Sequence, residues 1–174
     1  MFSYTSSAIF KLLPVFLELK SFFSNYTEDS RGLFSCERMK LIIQRSLSGK
    51  VSVENRVVGE TGKGYVILCG VKKGDSNESA KRLAEKVLNI RIMQDAEGKM
   101  NQSITDVHGE ILAISQFTLY AETKGRRPGF TEAEDPEKAK PVFDFFVQEL
   151  KASGLTVQTG EFGAYMKLEI INDG

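Results

Sequence analysis

Apolar and polar positions change character at Met39: before it no sustained period is present, and after it short apolar runs alternate with two helical stripes. Lys40-Leu41-Ile42-Ile43-Gln44-Arg45 is a short apolar run that predicts a first strand. Val51-Ser52-Val53 and Arg56-Val57-Val58 flank Glu54-Asn55, which predicts a tight hairpin. Gly62-Lys63-Gly64 then turns into residues 65–71, a run apolar on both faces and so expected as a central, fully buried strand. Asp75-Ser76-Asn77-Glu78 has the form of a capping box. It opens a helix whose apolar positions Ala80, Leu83, Ala84, Val87 and Leu88 recur at helical spacing. Residues 90–93 predict a further strand, Asp95-Ala96-Glu97-Gly98 is turn chemistry, and residues 111–119 begin as another buried strand.

After a polar loop containing Gly125, Pro128 and Gly129, Asp135-Pro136 places an N-cap before an N1 proline. The second helix carries its stripe at Ala139, Val142, Phe143, Phe146, Val147 and Leu150, and Gly154 is its expected stop. Val157 and residues 165–171 close the chain as strands. No internal repeat is present. A strand-rich order with two inserted helices predicts one layered α/β (α+β) domain over residues 39–174.

Residues 1–38 are a different text, rich in Ser and Phe. The apolar stretch at 9–17 is broken by Lys11 and Pro14, whereas a secretory core would be cleaner and would end at a small-residue cleavage site. Glu18, Glu28, Asp29 and Glu37 balance Lys11, Lys20, Arg31 and Arg38, and transit peptides are poor in acids. The expectation is an upstream extension, disordered or preceding a true start at Met39, with targeting and then a structured segment as the alternatives.

Composition narrows the function classes. Apolar content of 41% with 26% charged residues is ordinary for a globular chain, which argues against wholesale disorder. The formal net charge is zero, so contact with nucleic acid has to come from a local patch. Two cysteines, Cys36 and Cys69, are too few for a disulfide scaffold or a zinc cluster and suggest a reducing compartment. With one histidine there is little material for a transition-metal site, so no metal and no cofactor are expected. No apolar run approaches the roughly 20 residues needed to span a bilayer.

Three segments carry chemistry. Ser115-Gln116-Phe117-Thr118 switches an apolar strand to hydroxyl, amide and hydroxyl at its carboxyl end, where open sheets place ligand sites. The bland reading is that Ser115 and Thr118 cap the strand and Gln116 is solvated. A hydroxyl nucleophile needs a base, and the only histidine, His108, sits in the turn Asp106-Val107-His108-Gly109. No Gly-x-Ser-x-Gly elbow exists. A hydrolase built here would work by positioning and oxyanion-type stabilisation. Lys124-Gly125-Arg126-Arg127 is the densest basic cluster; beside Pro128 and Phe130 it suits phosphate contact and base stacking, or is simply a solvated loop. Thr159-Gly160-Glu161-Phe162-Gly163-Ala164-Tyr165-Met166 is a Gly-rich turn that admits a ligand near the backbone, or else a loop whose Phe162 and Met166 join the core.

Together these segments resemble the D-aminoacyl-tRNA deacylase family, of the D-tyrosyl-tRNA deacylase type, across residues 39–174. The likeness is carried by the opening strand ending Gln44-Arg45 and the turn Asp95-Ala96-Glu97-Gly98-Lys99-Met100-Asn101. Its most specific element is Ser115-Gln116-Phe117-Thr118-Leu119, followed by Arg127-Pro128-x-Phe130, Thr159-Gly160-x-Phe162 and the closing Asn172-Asp173-Gly174. The resemblance implies a β/β/α layered sandwich that forms a homodimer, with a site at the interface for the aminoacylated 3′ adenosine of tRNA. It implies hydrolysis of the D-aminoacyl-tRNA ester, and of mischarged glycyl-tRNA, as chiral proofreading in cytoplasmic translation. Ser115, Gln116 and Thr118 would be the catalytic set. Phe117, Phe162, Met166 and Gly174 would face the substrate, with Lys124, Arg126, Arg127 and Phe130 on the tRNA. Thr118 has been that family's candidate nucleophile, but assistance by the RNA's own 2′-hydroxyl fits the missing base.

Two positions depart from the family pattern. Gly129 stands where the family usually carries Ser, and Gly174 is the last residue given, where a Gly-Pro pair with a cis bond gates the partner's pocket. The expectation is therefore a C-terminally truncated domain. The rival to an active deacylase is an inactive subunit or tRNA-binding module that keeps the fold; a conventional Ser/Thr hydrolase is a distant third.

Overall fold

A computed structural model of the chain describes residues 16–20, by backbone pairing alone, and residues 39–174. The rest of the N-terminal extension, Cys36 included, lies outside the described residues. Within the extension one strand is described, β1 (Phe16–Lys20), where the sequence pattern showed no strand period.

The organising element is β2 (Lys40–Val53), a single 14-residue strand where the sequence suggested two short ones. Alternation fails at Arg45 and Ser46, both buried, and the ladder to the last strand slips between Ser46 and Ser48. That irregularity disguises one bent strand as two. The predicted hairpin turn is present: Glu54 and Asn55 take φ of 48° and 64°, the left-handed pair a two-residue turn requires. It leads into β3 (Arg56–Thr61), and β4 (Gly64–Gly70) follows as the expected buried strand. The pairs Gly49↔Thr61 and Ser46↔Gly64 continue one register, so β3 and β4 line the same edge of β2. The other edge takes β1 against Lys40 to Gln44 and β9 (Lys167–Asn172) against Ser46 to Ser52.

Helix α1 (Asn77–Asn89) starts one residue later than the sequence suggested. Ser76 is the N-cap and exchanges its hydrogen bonds with Ser79, while Asp75 instead accepts from the Lys72 amide at 2.6 Å. Of the expected stripe, Ala80, Leu83, Ala84 and Val87 are buried and Leu88 is half-buried. Residues 90–93 yield only the short β5 (Met93–Gln94), paired with β6 (Met100–Gln102) around the Asp95 turn. Strand β7 (Glu110–Ser115) is buried but stops at Ser115, short of the sequence expectation; Phe117–Tyr120 is a 3-10 turn. Helix α2 (Pro136–Lys151) has Asp135 at its N-cap and buries its whole predicted stripe, and Gly154 turns the chain with φ 84°. Strand β8 (Val157–Thr159) pairs with β7, and β9 closes the fold.

Side-chain alternation divides the core in two. Leu41, Ile43, Ile67, Ile111 and Ala113 point toward Ala80, Val87, Phe143, Phe146 and Leu150 of the helices. Val51, Val66, Leu112 and Ile114 point the other way, and Val58, Leu168 and Ile170 pack on them. The second half of β2, with β3 and β9, therefore folds over the sheet β2-β4-β7-β8. The contact is close: a Cβ at Gly59 would stand 2.7 Å from the Thr159 carbonyl. The result is a layered α+β domain, as the pattern predicts, in the β/β/α order that the resemblance implies.

Candidate functional site

Strands β4, β7 and β8 run parallel, with Cys69 paired to Ser115 and Ala113 to Thr159. Their carboxyl ends therefore meet at one place, where Cys69-Gly70, Ser115-Gln116 and Thr159-Gly160 emerge together. Carboxyl ends of parallel strands collect ligand sites because the chain leaves the sheet there and exposes backbone and polar side chains.

The motif's local structure follows from that exit. The Gln116 amide donates to the Cys69 carbonyl at 2.7 Å, a final rung after the strand, and Gln116 then turns at ψ 86° into the 3-10 turn. Two backbone bonds hold the turn, Leu119 N–H to Gln116 O at 3.3 Å and Ala121 N–H to Thr118 O at 3.0 Å. Ser115 and Gln116 are half-buried, while Phe117 and Thr118 are exposed. Gln116 Nε2 donates to Thr118 Oγ1 at 2.5 Å. An amide takes no proton from a hydroxyl, so this contact orients Thr118 without activating it.

Histidine does not supply the missing base. His108 lies in the turn before β7 and the motif follows it, so a strand's length, on the order of 16 Å, separates them. Among the described residues neither Ser115 nor Thr118 is hydrogen-bonded to a histidine or a carboxylate. Burial pushes the Cys69 thiol well above its ordinary pKa, which keeps it protonated and inert beside the site. Among the described residues no group of three or more His, Cys, Asp or Glu is placed to hold a metal ion. No helix among them is long and apolar enough to cross a membrane.

The basic loop does come to the motif. Glu122 and Gly129 bond to each other in both directions, at 2.8 and 2.9 Å, and close a loop that leaves Lys124, Arg126 and Arg127 exposed. Phe130, just beyond it, meets Phe117 edge to face with centroids 5.0 Å apart. Three exposed cations and a solvent-facing aromatic pair thus adjoin the polar turn.

The other predicted residues separate. Met166 joins the layer between the sheets, and a Cβ at Gly160 would collide with its sulfur and stand 3.2 Å from Ile114 Cδ1, one residue before Ser115. Phe162 instead packs toward the helices, 6.0 Å from Phe143. Gly174 is not at this chain's own motif. It lies against Arg45, five positions along β2 from Lys40, at the opposite end of the sheet and on the order of 15 Å away.

Two groups escaped the sequence reading. Arg45 is only 3% exposed, and its guanidinium donates to the Ile92 carbonyl at 2.9 Å and to the Asp173 carbonyl at 2.7 and 3.1 Å. The Asp173 amide returns a bond to Arg45 O at 3.1 Å. Lys40 reaches from β2 to the Leu119 carbonyl at 3.1 Å. Arg45 ends the opening strand that carries part of the likeness and Lys40 begins it, but both look like ordinary strand charges; the fold supplies their carbonyl partners.

Comparisons with known proteins agree with this geometry. The family model described as "D-Tyr-tRNA(Tyr) deacylase" matches residues 42–174. Proteins named D-aminoacyl-tRNA deacylase from Heliobacterium modesticaldum and Desulforamulus reducens are 50% and 51% identical over 137 residues, 78% of this chain and 91% and 92% of theirs. One from Limosilactobacillus reuteri is 47% identical over the same length and is covered to 94%. Among solved structures, the c-Myc DNA Unwinding Element Binding Protein aligns with a TM-score of 0.72 at 33% identity, over 76% of this chain and 91% of that one. A probable eukaryotic D-amino acid tRNA deacylase shares the fold with a TM-score of 0.69 at 19% identity, over 78% and 95% of the two chains. Sequence, layer order and the turn at the three strand ends converge: the chain belongs to the D-Tyr-tRNA(Tyr) deacylase family.

Proposed function

We propose that the protein hydrolyses the ester joining a D-amino acid to the 3′ adenosine of tRNA, releasing the free amino acid and tRNA. Family membership supports this reading, and the observation that carries it to this chain is the intact polar turn at the carboxyl ends of β4, β7 and β8. Ser115, Gln116 and Thr118 offer donors and acceptors to the aminoacyl-adenosine, and Phe117 offers a flat face to a base. Among the described residues no histidine or carboxylate is hydrogen-bonded to Ser115 or Thr118, so the attacking water is best served by the substrate's own 2′-hydroxyl, adjacent to the ester. The protein then contributes orientation and hydrogen bonds to the developing oxyanion. Lys124, Arg126 and Arg127 contact phosphates, with Phe130 beside the acceptor end.

The partners are tRNA and a second copy of the chain. Leu47 and Ile171 are exposed apolar residues on β2 and β9, and Met166, Leu168 and Ile170, which pack inward on the second core layer, are still only half-buried. This apolar area is suited to a self-complementary interface. Gly174, remote from its own motif, would reach a motif only across such an interface, with Met166 near the substrate. A translation substrate places the enzyme in the cytoplasm.

The test is incubation with D-Tyr-tRNA and L-Tyr-tRNA, following loss of each ester. Selective loss of the D-ester is expected. A D-ester left intact at enzyme concentrations well above the tRNA would sink hydrolysis and leave a tRNA-binding fold.

A further inference from the structure

The polar turn is four residues long and lies on the end of the sheet with few bonds of its own. What holds it there is visible in one strand pair, Lys40 opposite Gly70. A Cβ at position 70 would stand 2.9 Å from Tyr120 Cε2, 3.1 Å from Leu119 Cβ and 3.3 Å from Gln116 O. The turn can lie flat on the strand end because that position is glycine. From the neighbouring strand Lys40 closes over it: Nζ donates to the Leu119 carbonyl at 3.1 Å and sits 4.6 Å from the centre of the Tyr120 ring. Tyr120 is 5% exposed and forms the buried end of the turn, so the cation grips a fixed ring. Burial raises the phenol's pKa above its ordinary value, so the ring stays neutral beneath the cation. The side chains of the half-buried Gln116 and the exposed Thr118, by contrast, bond to each other among the described residues.

We propose that Lys40 is a positioning residue for deacylation, fixing the 3-10 turn on its glycine seat so that Gln116 and Thr118 meet the aminoacyl ester. It touches no substrate; it acts through Leu119 and Tyr120. This rests on the deacylase reading given above. An ammonium suits the place because its donors can serve the carbonyl while its charge faces the ring. Binding of the tRNA body depends on the basic loop, which Lys40 does not contact.

Steady-state deacylation of D-Tyr-tRNA by full-length wild type, K40M, K40R and G70A tests this, with the melting temperature of each. Met keeps the stem and removes both interactions. A loosened turn costs orientation, so kcat of K40M should fall about 10- to 100-fold with KM for tRNA within about 3-fold. K40R, which still reaches the carbonyl and the ring, should recover most of that loss. G70A should lower kcat with Lys40 intact, because its Cβ lifts the turn. The role is overturned by a K40M kcat within about 2-fold of wild type, by K40R as impaired as K40M, by a fully active G70A, or by losses that only track melting temperature. Inactive wild type would overturn the deacylase reading itself, which separates that failure from this one.

Discussion

The two ends of the central sheet use polar groups in opposite ways. At the motif end Phe117 and Thr118 are exposed, and among the described residues the side chains of Gln116 and Thr118 bond to each other, so both can exchange that contact for a ligand. At the other end Arg45 is only 3% exposed, and carbonyls of Ile92 and Asp173 occupy its donors. A group that must bind a passing substrate stays under-committed; a group that must hold the chain is saturated. The contrast separates recognition from anchoring within one sheet, and it tells which substitutions should cost activity and which stability.

The largest effect is expected at the saturated end. Arg45→Met removes three charge-assisted bonds and leaves the buried Ile92 carbonyl and the half-buried Asp173 carbonyl without these donors, so it should destabilise the fold by about 3 kcal/mol. Urea unfolding measures this directly. Arg45→Lys should recover part of the loss, since an ammonium serves one carbonyl but lacks the fork that serves two. A cost below about 1 kcal/mol would mean that the last residues of β9 are not anchored through Arg45 and would dissolve the contrast.

Between these ends, the sequence made some features legible and hid others. Regular rhythm gave both helices and the buried β4, because burial of Ala80 through Val87 and of Ala139 through Leu150 is periodic. It misjudged β2 because the buried Arg45 and Ser46 interrupt alternation where the strand bends. It carried β7 too far: Phe117 and Leu119 look like strand residues, but the described ladder to β4 ends at Cys69 and Ser115, and the chain then folds into a 3-10 turn over Gly70. The motif itself was readable, as was the distance of His108 from it. Lys40, Gly70 and Arg45 were not, because their roles lie in contacts to carbonyls and rings far away in sequence. Phe162 and Gly174 were placed at the site by resemblance, whereas within one chain the first packs on Phe143 and the second on Arg45.

The next effect probes recognition away from the chemistry. Replacing Lys124, Arg126 and Arg127 together with Gln should weaken tRNA binding about 10- to 100-fold near 0.1 M salt. It should also reduce the slope of log Kd against log salt by about 2, because each lost phosphate contact removes nearly one released counterion. Fold stability should move by no more than about 0.5 kcal/mol, since all three side chains are exposed. Fluorescence anisotropy over a salt series reads both quantities. An unchanged slope would show that tRNA enters by another face and that the loop beside Phe130 is merely solvated.

The smallest effect is the sharpest for mechanism. Thr118→Val keeps the side chain's shape and removes only the oxygen that accepts from Gln116. Were Thr118 the nucleophile, its loss would cost about 10⁴-fold or more in kcat. As one wall of a binding site it accounts for a single hydrogen bond worth about 1 kcal/mol, so kcat/KM on D-Tyr-tRNA should fall by less than about 10-fold. Stability should hardly change, because the residue is exposed. A tRNA whose terminal adenosine lacks the 2′-hydroxyl should be cleaved far more slowly by wild type than normal tRNA is by Thr118→Val. The opposite ranking would return the nucleophile to the protein and demand a base that the described residues of the motif end do not supply.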